Sequence, residues 1–460
     1  MARIIGNHIS LEMFVLWMLE FLLAFLVFYV LLLPGDAPEL GFGMSGGPVS
    51  GLHVGTVKSA AMLGFTVGLT SVAIGLYRPE ICLRTRHLLV NSVVAGVIGF
   101  PLILLVSLLT QIDPSLLLGT DALWPMKMLL SWVLLLFGTR LVMRIVLRLG
   151  LLTRNVLIIG TEAQAVGTTA AVAALPRQAF EIAGVIPPGA ADTLSAAGLR
   201  RQRIWAVVIA DPNHGQTALA PLLAARRGGV RVFSDIGFRE QQLRRMDLAS
   251  LTADWVLYAD GINPGPVARF VRRAADIVLS LLGLALTLPV LALAALAIKL
   301  DGPGPILYRQ ERVGLQGGRF TLLKLRSMRQ DAEADGPTWA TLDDQRVTRV
   351  GAFLRKTRID ELPQLFNVLR GEMGFVGPRP ERPHFVDQLA AAIPFYDDRH
   401  YVKPGITGWA QVSMPYGASI DDGRRKLAYD LYYVKHRSLF LDALIILSTV
   451  RVILFQEGAR

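Results

Sequence analysis

Residues 357–380, TRIDELPQLFNVLRGEMGFVGPRP, form the stretch around which this chain is organised. Apolar residues recur at helical spacing after Pro363, and Gly371 offers a stop, so the pattern predicts a short amphipathic helix. The adjacent acids Asp360 and Glu361 lie at its start, where a helix favours negative charge. Because a basic run lies just upstream, Asp360 is expected to be ionised at neutral pH.

The two acids are expected to have different roles, because neighbours one residue apart on a helix do not point the same way. One suits a nucleophile, and the other suits a metal ligand or a proton acceptor. The motif alone leaves open a second reading, in which Asp360 and Glu361 are only an acidic first turn beside a solvated basic run.

Other motifs accompany the acidic pair: YRQERVG at 308–314, KLRSM at 324–328, VGPRP at 376–380 and KPGITGWAQV at 403–412. Together they resemble the bacterial sugar transferases that load a sugar phosphate onto a polyprenyl phosphate. These are the monotopic phosphoglycosyl transferases that initiate exopolysaccharide or O-antigen-type glycans. The close resemblance covers roughly residues 265–460, and the rest of the chain is similar to the larger members of that family.

The composition, 52% hydrophobic and 18% charged, is that of a membrane protein. Four apolar stretches, each near the length that a helix needs to cross a bilayer, lie at about 11–33, 57–76, 88–110 and 123–146. Residues 34–56 and 111–122 contain no Lys or Arg, whereas basic residues follow the second and fourth stretches. The positive-inside rule therefore places both ends of this bundle, residues 1–150, in the cytoplasm.

Glu20 and Lys127 are the main ionisable residues within these spans. Such residues are functional candidates. Both also lie near span ends or could snorkel, so the pattern favours an anchoring role over a functional one.

Residues 151–262 are predicted to form a Rossmann-like cytoplasmic α/β domain. Short apolar runs at 155–159, 182–186, 206–210 and 230–233 read as strands that alternate with helices, which implies a parallel sheet. The sequence GTEAQAVG that begins at Gly160 lacks the spacing of a dinucleotide-binding loop. A structural or regulatory role is therefore favoured over nucleotide binding.

Residues 274–299 are apolar and long enough to span a membrane, but basic residues flank both ends, which contradicts a simple crossing. A re-entrant helix bent at Pro289 resolves the conflict, with Thr287 recovering backbone groups that Pro frees. The resemblance implies the same hairpin, although Leu288 stands where the family usually has a Ser. A fifth full span is the alternative.

The catalytic domain is predicted at residues 263–460. Its expected elements are strands at 306–308 and 320–324, a surface loop at 331–345, and an interfacial helix at 439–455. Asp442 and Arg451 interrupt that last apolar run, which argues against a span. The predicted fold class is thus a four-helix transmembrane bundle, an α/β domain, and a catalytic domain with a re-entrant helix.

The predicted reaction is a two-step transfer. Asp360 attacks the phosphate attached to the sugar, and the lipid phosphate then attacks the phospho-aspartate. The resemblance implies this covalent intermediate, and it implies magnesium, for which Asp360 is the expected ligand. It also indicates Arg355 and Arg379 as phosphate contacts and Glu361 as the second acid. Further candidate phosphate ligands are Arg309, Arg312, Lys324 and Arg326.

The expected partners are a nucleotide diphosphate sugar, a polyprenyl phosphate and the lipid bilayer, in a bacterial inner membrane with the catalytic domain on the cytoplasmic side. A net charge of +11 suits such anionic partners, and the absence of basic aromatic stripes argues against nucleic acid. Cys82 is the only cysteine, which excludes an internal disulfide. Assembly into a homo-oligomer is left open. Two other functions are also left open, a transporter and a regulatory membrane scaffold without catalysis.

Overall fold

The computed structural model describes residues 11–32, 54–74, 76–77, 85–109, 124–150, 152–175, 180–210, 219–259, 261–330, 332, 344–414, 417 and 419–454. Contacts divide the chain into two compact units. The first comprises Met1–Val156 with Pro176–Ala183, and the second comprises Leu157–Leu175 with Gly184–Arg460. The predicted middle and catalytic domains therefore share most of one unit.

The first unit contains four long helices where the sequence predicts four spans: α1 (Leu11–Leu31), α2 (Val54–Ile74), α3 (Thr85–Leu109) and α4 (Trp124–Arg148). By length and composition, α1, α2 and α4 can cross a membrane, while the described apolar run within α3 is shorter, Val90–Ile103. The long apolar stretches of the sequence are thus helices, as hydropathy predicts.

Glu20 lies in the interior of this bundle and is fully buried. Tyr77 donates a hydrogen bond to its Oε2 at 2.6 Å, and Thr139 donates one to its Oε1 at 2.7 Å. Arg140 of α4 forms a buried ion pair with the same carboxylate, with 3.0 Å between Nη2 and Oε2. The interpretation of Glu20 as a snorkelling anchor is therefore wrong, because a buried cation on another helix satisfies its charge.

Strands and helices then alternate: β1 (Arg154–Ile159), α5 (Glu162–Ala174), β2 (Phe180–Ile186), α6 (Ala196–Arg201), β3 (Ile204–Ile209), α7 (Leu219–Arg227), β4 (Arg231–Ser234) and α8 (Asp235–Leu243). The strand order is β2-β1-β3-β4, and β3 pairs with β4 in parallel. The sheet thus has the alternating architecture that the sequence predicts.

The turn after β1 is closed by side chains of the helix itself. Thr161 caps α5 by accepting from the Gln164 amide, and Gln164 Oε1 accepts from the Thr161 amide at 2.9 Å. This reciprocal capping box uses amides at the helix start. A Gly-rich phosphate loop would leave such amides free for a ligand.

The remaining elements are α9 (Pro266–Asp301), β5 (Leu307–Val313), β6 (Arg319–Leu325), α10 (Arg349–Lys356), α11 (Gln364–Arg370), β7 (Gly374–Val376), α12 (Pro383–Ala392), β8 (Gly405–Thr407), α13 (Trp409–Ser413), α14 (Ile420–His436) and α15 (Leu439–Leu454). Strands β5 and β6 form an antiparallel hairpin. Arg309 and Arg312 lie within β5 rather than in a loop between strands, because the turn is confined to the glycine-rich residues 314–318. Most of the predicted loop at 331–345 lies outside the described residues.

Helix α9 runs for 36 residues through Pro289. Its first half contacts the catalytic domain where Asp276 accepts from the Phe375 amide at 2.9 Å. Its second half contacts the same domain where Ile298 clusters with Leu325. Side chains around the proline face outward, and Leu286 is 77% exposed. An apolar middle segment is therefore left uncovered by the described residues.

Thr287 does not bond the carbonyl that Pro289 leaves without a partner, and its role as a hinge stays a prediction. Its hydroxyl donates to the Gly283 carbonyl at 2.6 Å, one helical turn back. The carbonyl that loses its partner at Pro289 is that of Ala285. The hydroxyl therefore bonds a different carbonyl from the one that the proline frees. Threonine hydroxyls in helices commonly donate to the carbonyl four residues back, which for Thr287 is that of Gly283.

Helix α15 turns its interrupting charges toward the protein. Asp442 accepts from Arg272 Nε at 2.7 Å and from the Tyr433 hydroxyl at 2.7 Å. Arg451 donates to the Val412 carbonyl at 3.2 Å. Both charged side chains are buried. They therefore tie the helix to the catalytic domain, and the interfacial position of this helix stays a prediction.

Candidate active site

Asp360 and Glu361 occupy a 3₁₀ turn, Ile359–Glu361, that precedes α11. The chain reverses after α10 at Arg358, which has a left-handed backbone with φ of 60°. The sequence predicts the acids at the start of the helix. They lie just before it, because Pro363 is the N-cap residue. Gly371, with φ of 87°, ends α11 at the predicted stop.

Glu361 is a buried carboxylate surrounded by partly buried cations. Its Oε1 lies 2.5 Å from Arg379 Nη2 and 3.1 Å from Lys324 Nζ, and its Oε2 lies 3.7 Å from Arg358 Nη1. Burial alone would raise the pKa of Glu361, but Arg379, Lys324 and Arg358 hold it well below its usual range. Glu361 is therefore an anion that positions cations.

Asp360 has different surroundings, although it is the next residue. It is buried, and its Oδ1 has no hydrogen-bond partner among the described residues. Burial and the charge of Glu361 raise the pKa of Asp360, and Lys324, Arg379 and Arg355 oppose that rise. The predicted difference in role between the two acids has a structural basis here, while the ionised state of Asp360 at neutral pH stays a prediction.

The β5–β6 hairpin decides which of the predicted basic residues reach the acids. Lys324 lies opposite Tyr308 in the antiparallel register, so the two side chains share one face of the hairpin. Because side chains alternate along a strand, Arg312 lies on that face and Arg309 lies on the other. Arg309 is exposed. Burial lowers the pKa of Lys324, and Glu361 opposes that effect. The hairpin thus delivers Lys324 to the acids and turns Arg309 away from them.

The VGPRP loop, residues 376–380, is fixed by close backbone contact with the strand that follows Lys403. The Gly377 amide donates to the Thr407 carbonyl at 2.9 Å, and the Gly405 amide donates to the Pro378 carbonyl at 2.9 Å. A Cβ at Gly377 would lie 2.2 Å from the Lys403 carbonyl oxygen, so only glycine fits. This close packing sets the position of Arg379.

Two arginines hold the same loop in place, Arg399, which is buried, and Arg312, which is partly buried. Arg399 Nη2 donates to the Arg379 carbonyl at 2.9 Å, and Arg312 Nη1 donates to the Pro380 carbonyl at 2.9 Å. Arg399 also forms a fully buried ion pair with Asp430 at 2.7 Å. The backbone of the residue that contacts Glu361 is therefore anchored by charge-assisted hydrogen bonds.

Glu381 follows this loop and joins the two arginines to helix α14. Its carboxylate pairs with Lys426 Nζ and lies 3.7 Å from Arg312 Nη1. Burial alone would raise the pKa of Glu381, but Lys426, Arg399 and Arg312 lower it to about 2. The supporting network thus has a negative charge at its centre, as the Glu361 cluster does.

Arg355 and Arg326 differ in their relation to the acids. Arg355 donates to Ser327 Oγ at 3.2 Å, and its charge opposes the rise in the pKa of Asp360. Arg326 instead donates to three carbonyls at the end of α9, those of Ile298, Gly302 and Pro303, at 2.6–3.0 Å. Its guanidinium closes a helix end, where the last carbonyls lack partners.

Sequence reasoning left Arg358, Glu381 and Arg399 out of the site. Arg358 has a signal, since it stands three residues before Glu361. Glu381 has one as well, because it directly follows the VGPRP motif. Arg399 reaches the loop from 20 residues away, and the sequence carries no local signal for that contact.

The residues present fit a magnesium ion held together with substrate phosphates. Among the described residues, no group of three or more His, Cys, Asp or Glu side chains could hold a metal. Magnesium usually takes one or two carboxylates and fills its remaining positions with phosphate and water. The unpartnered Oδ1 of Asp360 offers such a ligand, whereas cations surround both oxygens of Glu361.

Comparison with known proteins identifies this part of the chain. Residues 267–456 match the model of the bacterial sugar transferase family. A UDP-N-acetylgalactosamine-undecaprenyl-phosphate N-acetylgalactosaminephosphotransferase of Aeromonas hydrophila is 49% identical over 197 residues, which cover 43% of this chain and 47% of that protein. The match thus spans about half the length of that relative.

Shorter relatives are matched over most of their length. A UDP-glucose:undecaprenyl-phosphate glucose-1-phosphate transferase of Caulobacter vibrioides is 44% identical over 218 residues, 46% of this chain and 81% of that protein. A Bacillus subtilis protein, described as a putative undecaprenyl-phosphate N-acetylgalactosaminyl 1-phosphate transferase, is 47% identical over 162 residues, 35% of this chain and 83% of its own length. The chain belongs to the bacterial sugar transferase family.

Proposed function

We propose that this protein transfers a sugar 1-phosphate from a nucleotide diphosphate sugar to a polyprenyl phosphate, through a phospho-aspartyl intermediate on Asp360. The names of the relatives support a UDP-sugar as donor and undecaprenyl phosphate as acceptor. The observation that carries the proposal is the buried, unpartnered oxygen of Asp360 beside the cations gathered on Glu361. The product would initiate an exopolysaccharide or O-antigen-type glycan.

In the first step the Asp360 carboxylate attacks the phosphorus that carries the sugar. The bond from that phosphorus to the bridging oxygen breaks, and the nucleoside monophosphate leaves with the bonding electrons. Arg379 and Lys324, already aligned on Glu361, bind the diphosphate oxygens. Magnesium bound at Asp360 would neutralise phosphate charge.

In the second step an oxygen of the polyprenyl phosphate attacks the same phosphorus. The bond between that phosphorus and the Asp360 oxygen breaks, which regenerates the carboxylate and releases a polyprenyl diphosphate sugar. One phosphoanhydride is broken and another is made, so positioning and charge neutralisation are the main tasks of the site. The VGPRP loop and the arginines that hold it, Arg399 and Arg312, supply a rigid frame for both tasks.

Helix α9 would bring this site to the membrane surface. Both halves of α9 contact the same catalytic domain, which supports a helix that enters the membrane and returns to the cytoplasmic side. The exposed leucines around Pro289 would lie in the bilayer. A soluble nucleotide sugar and a lipid phosphate could then reach Asp360 together.

The nucleophile is tested by trapping the intermediate. Wild-type protein given a UDP-sugar and magnesium, without lipid, should release about one equivalent of UMP and hold sugar phosphate covalently. Asp360→Asn should do neither while it stays folded. Asp387→Asn is the matched control, because Asp387 is an exposed aspartate of the same domain, and it should behave as wild type. An active Asp360→Asn protein, or an adduct on another residue, would overturn the assignment.

The membrane arrangement is tested by labelling. Cysteines placed at Arg269 and Gly302, which lie at the two ends of α9, should both react only with reagents on the cytoplasmic side. Labelling of Gly302→Cys from outside intact cells would show a fifth full span instead.

A further inference from the structure

A cleft of about 410 Å³ lies where the α/β domain meets the catalytic domain, within the second unit. Its walls come from α5, from α8 with the residues that follow it, and from α14. Ligand sites typically measure about 300–1,000 Å³ and often lie between domains. The cleft therefore has the size and the setting of a small-molecule site.

The space exists because one face of α5 carries only glycine and alanine, whose side chains are the smallest. Gly167, Ala170, Ala171 and Ala174, at helical spacing, line the cleft. Leu243 adds an apolar wall from the end of α8. Larger side chains at these positions of α5 would fill the volume, and the small ones leave an apolar surface open to a ligand.

The two domains hold the cleft open through direct contacts. The Met246 amide donates to the Ala428 carbonyl at 2.9 Å, and Trp409 Nε1 donates to the Arg244 carbonyl at 2.9 Å. Glu240 accepts from Lys435 at 2.8 Å. The walls of the cleft are thus fixed relative to one another before any ligand enters.

Arg245, Arg424 and Arg425 line this cleft. Among the residues that the structure describes, none of these guanidinium groups pairs with an acid. Asp247 is the single acidic residue of the lining, and its carboxylate is already paired with Arg239 and accepts from Ser250 Oγ at 2.7 Å. The cleft therefore has an excess of positive charge.

Arg239 adds an unused donor to this wall. Its terminal nitrogens pair with Asp235 and Asp247, but its Nε is buried and lacks a partner within the described part of the chain. A buried donor without an acceptor costs free energy that a bound oxygen would recover.

We propose that this cleft binds a small phosphate-bearing ligand of nucleotide size, separate from the active site. Guanidinium groups bind phosphate oxygens in bidentate fashion, and the alanine face of α5 offers a surface for a planar or apolar group. The loop after Gly160 is not the site, because the capping box of Thr161 and Gln164 uses its amides. The proposal does not depend on the reaction proposed above.

The cleft shares helix α14 with the network that supports the active site. Arg424 and Arg425 precede Lys426, which pairs with Glu381. A ligand held by the two arginines would therefore contact the helix that anchors the VGPRP loop. This gives the site a physical route to the transfer reaction, as expected of a regulatory domain.

Calorimetry on the detergent-solubilised 460-residue chain tests the proposal, with ADP, UDP, GDP, CDP and inorganic pyrophosphate as probes. The protein carries Asp360→Asn so that no turnover occurs. At least one nucleoside diphosphate should bind saturably. Replacing both Arg424 and Arg425 by Ala should weaken that binding by about tenfold or more, since it removes charge-assisted hydrogen bonds.

The matched control replaces Arg226 and Arg227, an adjacent and exposed pair on α7, which removes the same charge and should leave binding unchanged. Ala170→Leu should weaken nucleotide binding by filling the cleft, at little cost in helix propensity. The thermal midpoints of these variants should match that of the parent. Probe binding that is absent, or that is insensitive to Arg424 and Arg425, would refute the site.

Discussion

Replacing Glu381 by Gln tests how much the partly buried charge network that supports the VGPRP loop contributes to stability. The substitution keeps the shape of the side chain and removes its charge. Glu381 pairs with Lys426 and lies near Arg312, so both cations would lose an anion. Breaking a buried ion pair by neutralising one partner is strongly destabilising, because the remaining charge is uncompensated.

The magnitude follows from the pKa. The surrounding cations lower the pKa of Glu381 from 4.5 to about 2, which corresponds to about 3 kcal/mol of stability at neutral pH. The side chain is 21% exposed, so we expect a loss of about 2–3 kcal/mol once solvent screening is allowed for. Because the folded pKa is the lower one, this contribution is complete above pH 4.5. It is lost as pH falls from 4.5 toward 2.

Denaturant unfolding of the detergent-solubilised protein measures this difference at a series of pH values. Glu311→Gln is the matched control, because Glu311 makes an ion pair within the hairpin that carries Arg312 but is 55% exposed. Loss of that pair should cost less than about 1 kcal/mol. The gap between wild type and Glu381→Gln should be constant from pH 7 to 5 and narrow below 4.5. A Glu381→Gln protein as stable as the Glu311→Gln control, or a gap that does not narrow in acid, would refute the reasoning.

Three further outcomes follow from the contacts described above. Arg379→Lys should lower UMP release by roughly tenfold to a hundredfold, because a lysine cannot contact the diphosphate in bidentate fashion; unchanged release would exclude the proposed contact. Gly377→Ala should lower the melting temperature and the turnover, since the new Cβ would meet a carbonyl at 2.2 Å, while Gly265→Ala has open space around it and should be tolerated. Glu20→Ala should destabilise the helical bundle by about 3–5 kcal/mol in thermal unfolding, because it leaves Arg140 buried without its anion, and a neutral effect would contradict that pairing.

The elements that the sequence predicts well are those that local pattern determines. Span length, the alternation of short apolar strands with helices, and the stop at Gly371 depend on neighbours a few residues apart. The sequence places the acids at the helix start but does not predict the 3₁₀ turn that holds them, because the reversal at Arg358 depends on a left-handed backbone at a residue other than glycine. The faces of β5 follow from strand register, which requires knowing where the hairpin turns.

The pairings that the sequence does not predict join distant residues. Glu20 and Arg140 are 120 positions apart, and each looks like an isolated charge in an apolar run. Arg326 shows the opposite case, since its motif suggests a phosphate contact while its guanidinium bonds carbonyls at the end of α9. A basic residue in a motif can serve either the substrate or the backbone, and only tertiary structure distinguishes them.

The different roles proposed for Asp360 and Glu361 follow from the position of the cations, which pair with Glu361. Lys324 and Arg379 both contact Glu361, so in the proposed reaction an entering diphosphate would compete with that carboxylate for them. This competition weakens binding of the substrate in its ground state, but it also holds the cations in place before the substrate arrives, which avoids reorganisation during the reaction. Asp360, whose Oδ1 has no such partner, is not held by these cations, so in the proposed reaction one carboxylate oxygen could bind magnesium while the other attacks phosphorus. Exchanging the two acids would leave the cations on the nucleophile.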